Sequence, residues 1–149
     1  MKHKKIMYIL ILTTISLLNS CANDNNDDDI STVIEQPDLI ITSTSPTLTT
    51  NDGFSISTTY NVPDVSTGEI PGIILIHQGT SSRSEWSANA RVLNNKGYAT
   101  LSIDLRGHGQ STAVSDLNAL FSDPNQTPKD VLAALEFLRA DTSIDSERL

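Results

Sequence analysis

The chain has 149 residues with 18 acidic and 10 basic side chains, which give a formal net charge of −8. This length suits one modest domain, and the acidic balance argues against nucleic acid as a partner, because phosphate binding needs a basic face. The single cysteine, Cys21, excludes a disulfide within the chain.

Residues 1–20 have the composition of a secretory signal peptide. Three lysines lie among residues 1–5, an apolar run covers Ile6–Leu18, and the small Ser20 precedes Cys21. The apolar run is shorter than the roughly 20 residues that a membrane-spanning helix needs. The arrangement around Cys21 resembles a bacterial lipobox, in which the cysteine is lipidated and becomes the first residue of the mature protein. The alternative is a free thiol beside an ordinary cleavage site.

Residues 21–46 are predicted to form a disordered tether. The Asn/Asp run at 22–29 has no large apolar side chain to bury, and a Ser/Thr-rich spacer follows it. The run resembles the acidic tag of some surface-exported lipoproteins in Gram-negative bacteria, although a plain solvated linker has the same composition. We therefore expect a cell-envelope protein, anchored through Cys21 at the outer membrane or cell surface. Without residues 1–20 the net charge is −11, so acyl chains rather than attraction to anionic lipid would hold it there.

The predicted domain, residues 47–149, begins with a β-hairpin. An Asn-Asp-Gly turn at 51–53 separates two β-prone runs, and Phe54–Tyr60 alternates between large side chains and Ser/Thr. This period of two is typical of a half-buried strand.

A strand–helix–strand unit is predicted after a polar loop at 61–72. Ile73–Ile76 is a continuous apolar run, typical of strands that helices cover on both faces. A second strand, 99–104, follows about thirty residues later, which is the length of a right-handed βαβ unit.

The helix between these strands is expected to start near Ser82 or Ser84. Ser82 and Glu85 have capping-box spacing, Trp86 lies on the apolar face and is expected in the core, and Gly97 stands where a C-terminal cap belongs.

A firmer helix is predicted over Pro128–Ala140. Thr127 is a suitable N-cap, and proline is favoured at the first helical position. The preceding residues, 112–126, are interpreted as a loop with one short helical turn around 116–120. The polar tail, 141–149, is expected to lead into a further strand.

Two loops together carry a resemblance to a known family. The first is His77-Gln78-Gly79 with Trp86 nine residues after the histidine, and the second is the run D-x-R-G-H-G-x-S at 104–111. In combination they resemble the α/β-hydrolases, nearest to the dienelactone-hydrolase and serine-aminopeptidase-like branches. Most of these families have His-Gly where this chain has His-Gln. The resemblance covers 47–149 and implies an α/β fold: the N-terminal half of an α/β-hydrolase, with a β-hairpin, a parallel βαβ unit, a further helix and an incomplete sheet.

The resemblance also implies roles for individual residues. Acyl transfer in this family needs two backbone N–H groups aimed at the oxyanion, one of them from the loop after the third strand of the fold. Gly79 is the first candidate for that donor and Thr80 the second, although Gly79 could simply form a turn. The remaining loop residues are interpreted as loop architecture rather than as a charge relay: His77, Asp104, Arg106 and His108.

Ser111 lies in a string that approximates G-x-S-x-G, but it is rejected as the nucleophile. A nucleophile elbow places its serine directly between strand and helix, whereas Ser111 follows Asp104 by seven residues. We find no zinc-ligand spacing, Walker loop or dinucleotide fingerprint, so we expect no metal and no cofactor. The resemblance implies that the nucleophile, acid and catalytic histidine lie outside residues 1–149. We therefore expect this fragment to be inactive, with an exposed strand edge at Ile73–Ile76.

The expected function of the whole protein is that of a cell-envelope serine hydrolase that cleaves carboxylic esters. A serine-aminopeptidase-like peptidase is one alternative. A non-catalytic surface lipoprotein that uses the fold for binding is the other. The expected partners are a small-molecule ester or peptide substrate and the membrane.

Overall fold

The computed structural model describes residues 38–66, 68–123 and 125–149. The predicted signal peptide, Cys21 and the predicted tether up to residue 37 lie outside these residues, whereas residues 38–46 of the predicted tether lie within them. Within them, no helix combines the length and apolar character that crossing a membrane requires.

A five-stranded mixed sheet forms the centre of the described chain. Its main strand order is β1-β3-β5-β4, and β2 pairs with β3 off this path. The strands are β1 (Ile41–Thr44), β2 (Thr47–Thr49), β3 (Ser55–Pro63), β4 (Gly72–Ile76) and β5 (Ala99–Ile103). The sheet therefore begins at Ile41, six residues before the predicted domain start, because β1 runs antiparallel along the second half of β3.

The predicted hairpin is confirmed as β2 and the first half of β3, which pair antiparallel. Its turn is closed by bonds between Thr50 and Phe54, and Gly53 takes a φ of +88° that favours glycine. β3 continues past the hairpin to Pro63 and pairs antiparallel with β5. It thus joins the hairpin to the parallel part of the sheet.

The predicted parallel pair is confirmed, because Gly72–Ile76 lies in parallel register beside Ala99–Ile103. A 3-10 turn, Arg83–Trp86, and helix α1, Ser87–Asn95, connect the two strands. Gly97 ends the helix with a φ of +86°.

The expected capping box at the start of this connection is wrong. Ser82 makes no side-chain cap bond, and its hydroxyl lies 2.8 Å from that of Ser84. Glu85 instead accepts the backbone N–H of Gln78 at 3.1 Å. The loop after β4 therefore uses the carboxylate that the spacing assigned to the helix. Trp86, which we expected in the core, is half-buried.

Two further helices follow β5: the four-residue α2 (Ala119–Ser122) and α3 (Thr127–Ala140). Thr127 is the first helical residue rather than the N-cap, and its hydroxyl donates to the carbonyl of Leu120 at 3.0 Å. That bond ties the start of α3 to α2 instead of to its own first turn.

The core lies around β5, which is buried along its whole length, whereas β4 is half-buried. Within the described residues β4 has one strand neighbour, β5. On its other side β4 is approached by residues 141–149. Ile144 forms a parallel bridge with Ile70, and the Gly72 N–H donates to the carbonyl of Arg148 at 3.1 Å. The described chain is thus an α/β structure with an open, incomplete sheet, as the sequence led us to expect.

Candidate active site

The two loops singled out from the sequence meet at one end of the sheet. Ile76 of β4 pairs with Ile103 of β5, so the residues that follow them, His77 and Asp104, leave the same edge. The carboxyl ends of parallel strands are where α/β proteins bind their ligands. This register is what brings residues about thirty positions apart into one cluster.

The ring of His77 is buried, with 4% of its surface exposed, and both of its nitrogens are engaged with the main chain. Nε2 accepts the N–H of Leu105 at 3.1 Å. The proton of the neutral ring therefore sits on Nδ1, which donates to the carbonyl of Gln78 at 2.6 Å. His77 thereby connects the loop after β4 to the loop after β5.

His108 makes the second connection between the loops, from the opposite side. Its Nε2 donates to the carbonyl of Gly79 at 2.6 Å, and its Nδ1 lies 3.1 Å from the carbonyl oxygen of Arg106. The rings of His77 and His108 are 4.9 Å apart with an interplanar angle of 53°.

Gly79 and Thr80 are exposed at the end of β4. Among the residues that the structure describes, neither of their backbone N–H groups has a hydrogen-bond acceptor. Two successive unpaired N–H groups at the carboxyl end of a strand can bind a developing negative charge. The N–H of the preceding residue, Gln78, is not free, because it donates to the carboxylate of Glu85. This hydrogen bond lowers the pKa of the Glu85 carboxyl group.

Asp104 is completely buried, and both oxygens of its carboxylate accept hydrogen bonds. Oδ1 accepts the Arg83 N–H at 2.6 Å, and Oδ2 accepts the Gln110 N–H at 2.9 Å. The Arg83 guanidinium forms an ion pair with the same carboxylate. These bonds hold the loop after β5 against the 3-10 turn and leave Asp104 no exposed lone pair for a substrate. The sequence pattern does not identify Arg83 as a site residue, because no local spacing pairs residues that are 21 positions apart.

Arg106 is 1% exposed and joins three parts of the chain. Its Nε donates to Asp130 of α3 at 2.8 Å, and its Nη1 donates to Asp52 in the hairpin turn at 2.9 Å. The guanidinium also lies 4.1 Å from the centre of the Phe54 ring, within cation–π distance. Burial lowers the pKa of Arg106, but its hydrogen bonds with the two aspartates outweigh this and raise it overall.

The hydroxyl of Ser111 is occupied on both sides. It donates to the carbonyl of Asp104 at 2.5 Å and accepts the Ser57 N–H at 2.8 Å. Ser111 therefore ties its loop to β3.

A cleft of about 440 Å³ lies beside the site. Thr59, Asn61, Arg83, Ser102 and Gln110 are among the residues that line it, and Gly79 and Thr80 are not. Within the described residues, no cluster of three or more His, Cys, Asp or Glu side chains could hold a metal ion.

Comparison with known proteins identifies the family. The family model for the alpha/beta hydrolase fold matches residues 71–146, about half of the chain, so the chain belongs to this family. The match spans β4, α1, β5 and α3 together with both loops of the site. No curated protein matches the chain.

Several solved structures share the fold. A hypothetical protein from Pseudomonas aeruginosa has a TM-score of 0.60 at 19% identity, over 72% of this chain and 33% of its own. The epoxide hydrolase VrEH1 from Vigna radiata has a TM-score of 0.52 at 21% identity, over 64% and 28%. The esterase EaEST from Exiguobacterium antarcticum has a TM-score of 0.51 at 19% identity, over 64% and 32%. The chain thus spans about a third of the length of these structures.

Proposed function

We propose that the whole protein is a serine hydrolase that cleaves carboxylic esters, and that this chain supplies the oxyanion-binding side of its active site. The observation that carries the proposal is the pair of unpaired, exposed N–H groups of Gly79 and Thr80 at the carboxyl end of β4. In the dienelactone-hydrolase-like branch that the loops resemble, this position faces the substrate carbonyl. Backbone donors here would stabilise the tetrahedral intermediate of acyl transfer.

The nucleophile, acid and catalytic histidine belong, in this proposal, outside residues 38–149. The residues that could imitate a triad are already bonded within the loops: the hydroxyl of Ser111, the carboxylate of Asp104 and both ring nitrogens of His77. A general base needs a free lone pair within hydrogen-bond reach of the nucleophile. We therefore expect residues 38–149 alone to hydrolyse no ester.

The proposed location is the cell envelope, with Cys21 lipidated and the acidic run behind it as a tether. The composition of residues 1–29 supports this, and so does the net charge of −11 after cleavage, which leaves acyl chains as the membrane link. Growth of the producing bacterium with an alkyne-tagged fatty acid should label the wild-type protein and not a Cys21→Ser variant. Equal labelling of both would contradict the proposal.

The activity is tested on the full-length protein with a fluorophosphonate probe and short p-nitrophenyl esters. Covalent labelling together with ester turnover is expected. Cleavage of aminoacyl anilides without ester turnover would favour a peptidase, and neither reaction would favour a binding protein.

The oxyanion assignment is tested by removing one N–H at a time. Thr80→Pro deletes the Thr80 donor, whereas Thr80→Ser keeps it and serves as the matched control. Loss of a true donor lowers kcat by about 10²–10³-fold. Gly79→Pro makes the same test at the other position. Full activity in both proline variants would contradict the assignment.

A further inference from the structure

Two histidines hold two successive peptide groups in the loop after β4. His77 Nδ1 donates to the carbonyl of Gln78, and His108 Nε2 donates to the carbonyl of Gly79, each at 2.6 Å. Because a peptide group is planar and trans, its N–H points away from its own carbonyl oxygen. Holding the Gln78 carbonyl therefore fixes the direction of the Gly79 N–H, and holding the Gly79 carbonyl fixes that of Thr80.

We propose that His77 and His108 are positioning residues that aim the N–H groups of Gly79 and Thr80 at the oxyanion. This inference rests on the proposed hydrolase function, since it assigns a purpose to donors in that site. Neither histidine touches substrate. Each acts through the peptide whose carbonyl it holds.

Through His108, the loop after β5 sets the orientation of a peptide group in the loop after β4. Gly79 and Thr80 are exposed, so packing contributes little to the orientation of their peptide groups. His108 belongs to the loop that Arg106 fastens to Asp130 of α3 and that Asp104 fastens to Arg83 of the 3-10 turn. A donor that is preorganised in this way costs no reorganisation when the oxyanion forms.

The test separates the hydrogen bond from the bulk of the ring. In the full-length protein, His108→Met removes the bond to the Gly79 carbonyl, whereas His108→Gln keeps an N–H₂ donor near the position of Nε2. Neither variant has an aromatic ring, so ring-current effects on nearby amides are the same in both. Tyr60→Phe removes a hydrogen bond to Asp141, outside both loops, and is the control for general destabilisation.

Two readouts are needed: the ¹⁵N–¹H shifts of the Gly79 and Thr80 amides, and kcat and KM for an ester. We expect His108→Met to move the Thr80 amide and to lower kcat about tenfold or more with KM nearly unchanged, because mis-aimed donors lose transition-state binding. His108→Gln should keep the Thr80 amide shift and kcat close to those of the wild type, and Tyr60→Phe should change neither. The corresponding pair at the other histidine, His77→Met and His77→Asn, should act on the Gly79 amide.

Two results would overturn the inference. One is a Thr80 amide at the same shift in His108→Met and His108→Gln, and the other is a moved amide with unchanged kcat. A different result would refute the proposed function instead: amides that respond to the His108 variants in a wild-type protein that neither turns over esters nor takes the fluorophosphonate. The histidines would then orient the peptides, but for no acyl transfer.

Discussion

Arg106 and Asp130 form an ion pair that is sealed from solvent. Arg106 Nη2 lies 2.7 Å from Asp130 Oδ1, and the two side chains are 1% and 0% exposed. The backbone N–H of Arg106 donates to the other carboxylate oxygen at 2.9 Å. The first turn of α3 is thereby fastened to the loop that carries His108.

Replacing Arg106 should be among the most destabilising changes in the chain. Arg106→Met leaves the buried carboxylate of Asp130 unpaired, and breaking one side of a buried pair costs about 3–5 kcal/mol. The free energy of unfolding, measured by urea denaturation, should fall by that amount. Arg139→Met on the exposed side of α3 is the control and should stay within about 0.5 kcal/mol of wild type. Equal effects at the two positions would contradict the expectation.

Asp52 makes the stability that the Arg106 ion pairs contribute dependent on pH. The Arg106 guanidinium holds the pKa of the Asp52 carboxyl well below its ordinary value, which is about 3.9. A carboxyl with a lowered folded-state pKa adds stability above its ordinary pKa and loses it as the pH falls through the folded-state value. Its contribution is therefore complete at neutral pH and declines below about pH 4.

The variant Asp52→Asn isolates this contribution. Because the Asp52 side chain is 24% exposed, solvent screens its ion pair, and we expect a loss of about 1–2 kcal/mol at pH 7. Urea denaturation at pH 7, 4 and 2.5 should show the gap between wild type and variant closing toward the lowest pH. A gap that stays constant across the range would rule out the titration of Asp52 as its cause.

Gly109 and Gly97 offer a matched pair of glycine substitutions. Both have positive φ, +51° at Gly109 and +86° at Gly97, so alanine is strained at either position. A Cβ on Gly109 would also collide with the carboxylate of Asp104, whereas one on Gly97 would meet only Val65, at 3.9 Å. Gly97→Ala should cost about 1 kcal/mol, and Gly109→Ala clearly more. Similar melting temperatures for the two variants would show that the loop can move Asp104 aside.

The sheet could be predicted because its signals are local. Continuous apolar residues at Ile73–Ile76 indicate a strand covered on both faces, and Gly97 marks the end of the helix between the strands. The parallel pairing follows from the length of that connection. β1 was less visible, since a short Ser/Thr-rich run such as 41–44 forms a strand only when a longer one, here β3, lies beside it.

The site could be predicted only in part, because its partners are distant in the chain. Arg106 donates a hydrogen bond to Asp52, 54 positions away, and Arg83 donates one to Asp104, 21 positions away. Local spacing cannot select these pairs from the many acids present. The same spacing rule assigned Glu85 to a helix cap, when the nearer unpaired donor was the N–H of Gln78.

Ser111 gives a direct test of where the nucleophile lies. Its hydroxyl makes two hydrogen bonds within the loop, so Ser111→Ala should cost about 1–2 kcal/mol of stability and leave fluorophosphonate labelling of the full-length protein intact. Ser115→Ala, at an exposed position in the same segment, should change neither quantity. Labelling lost in a folded Ser111→Ala variant would identify Ser111 as the nucleophile. In that case the Ser111 hydroxyl would have to break its hydrogen bond with the Asp104 carbonyl before reaction, and the loop after β5 would have to change conformation.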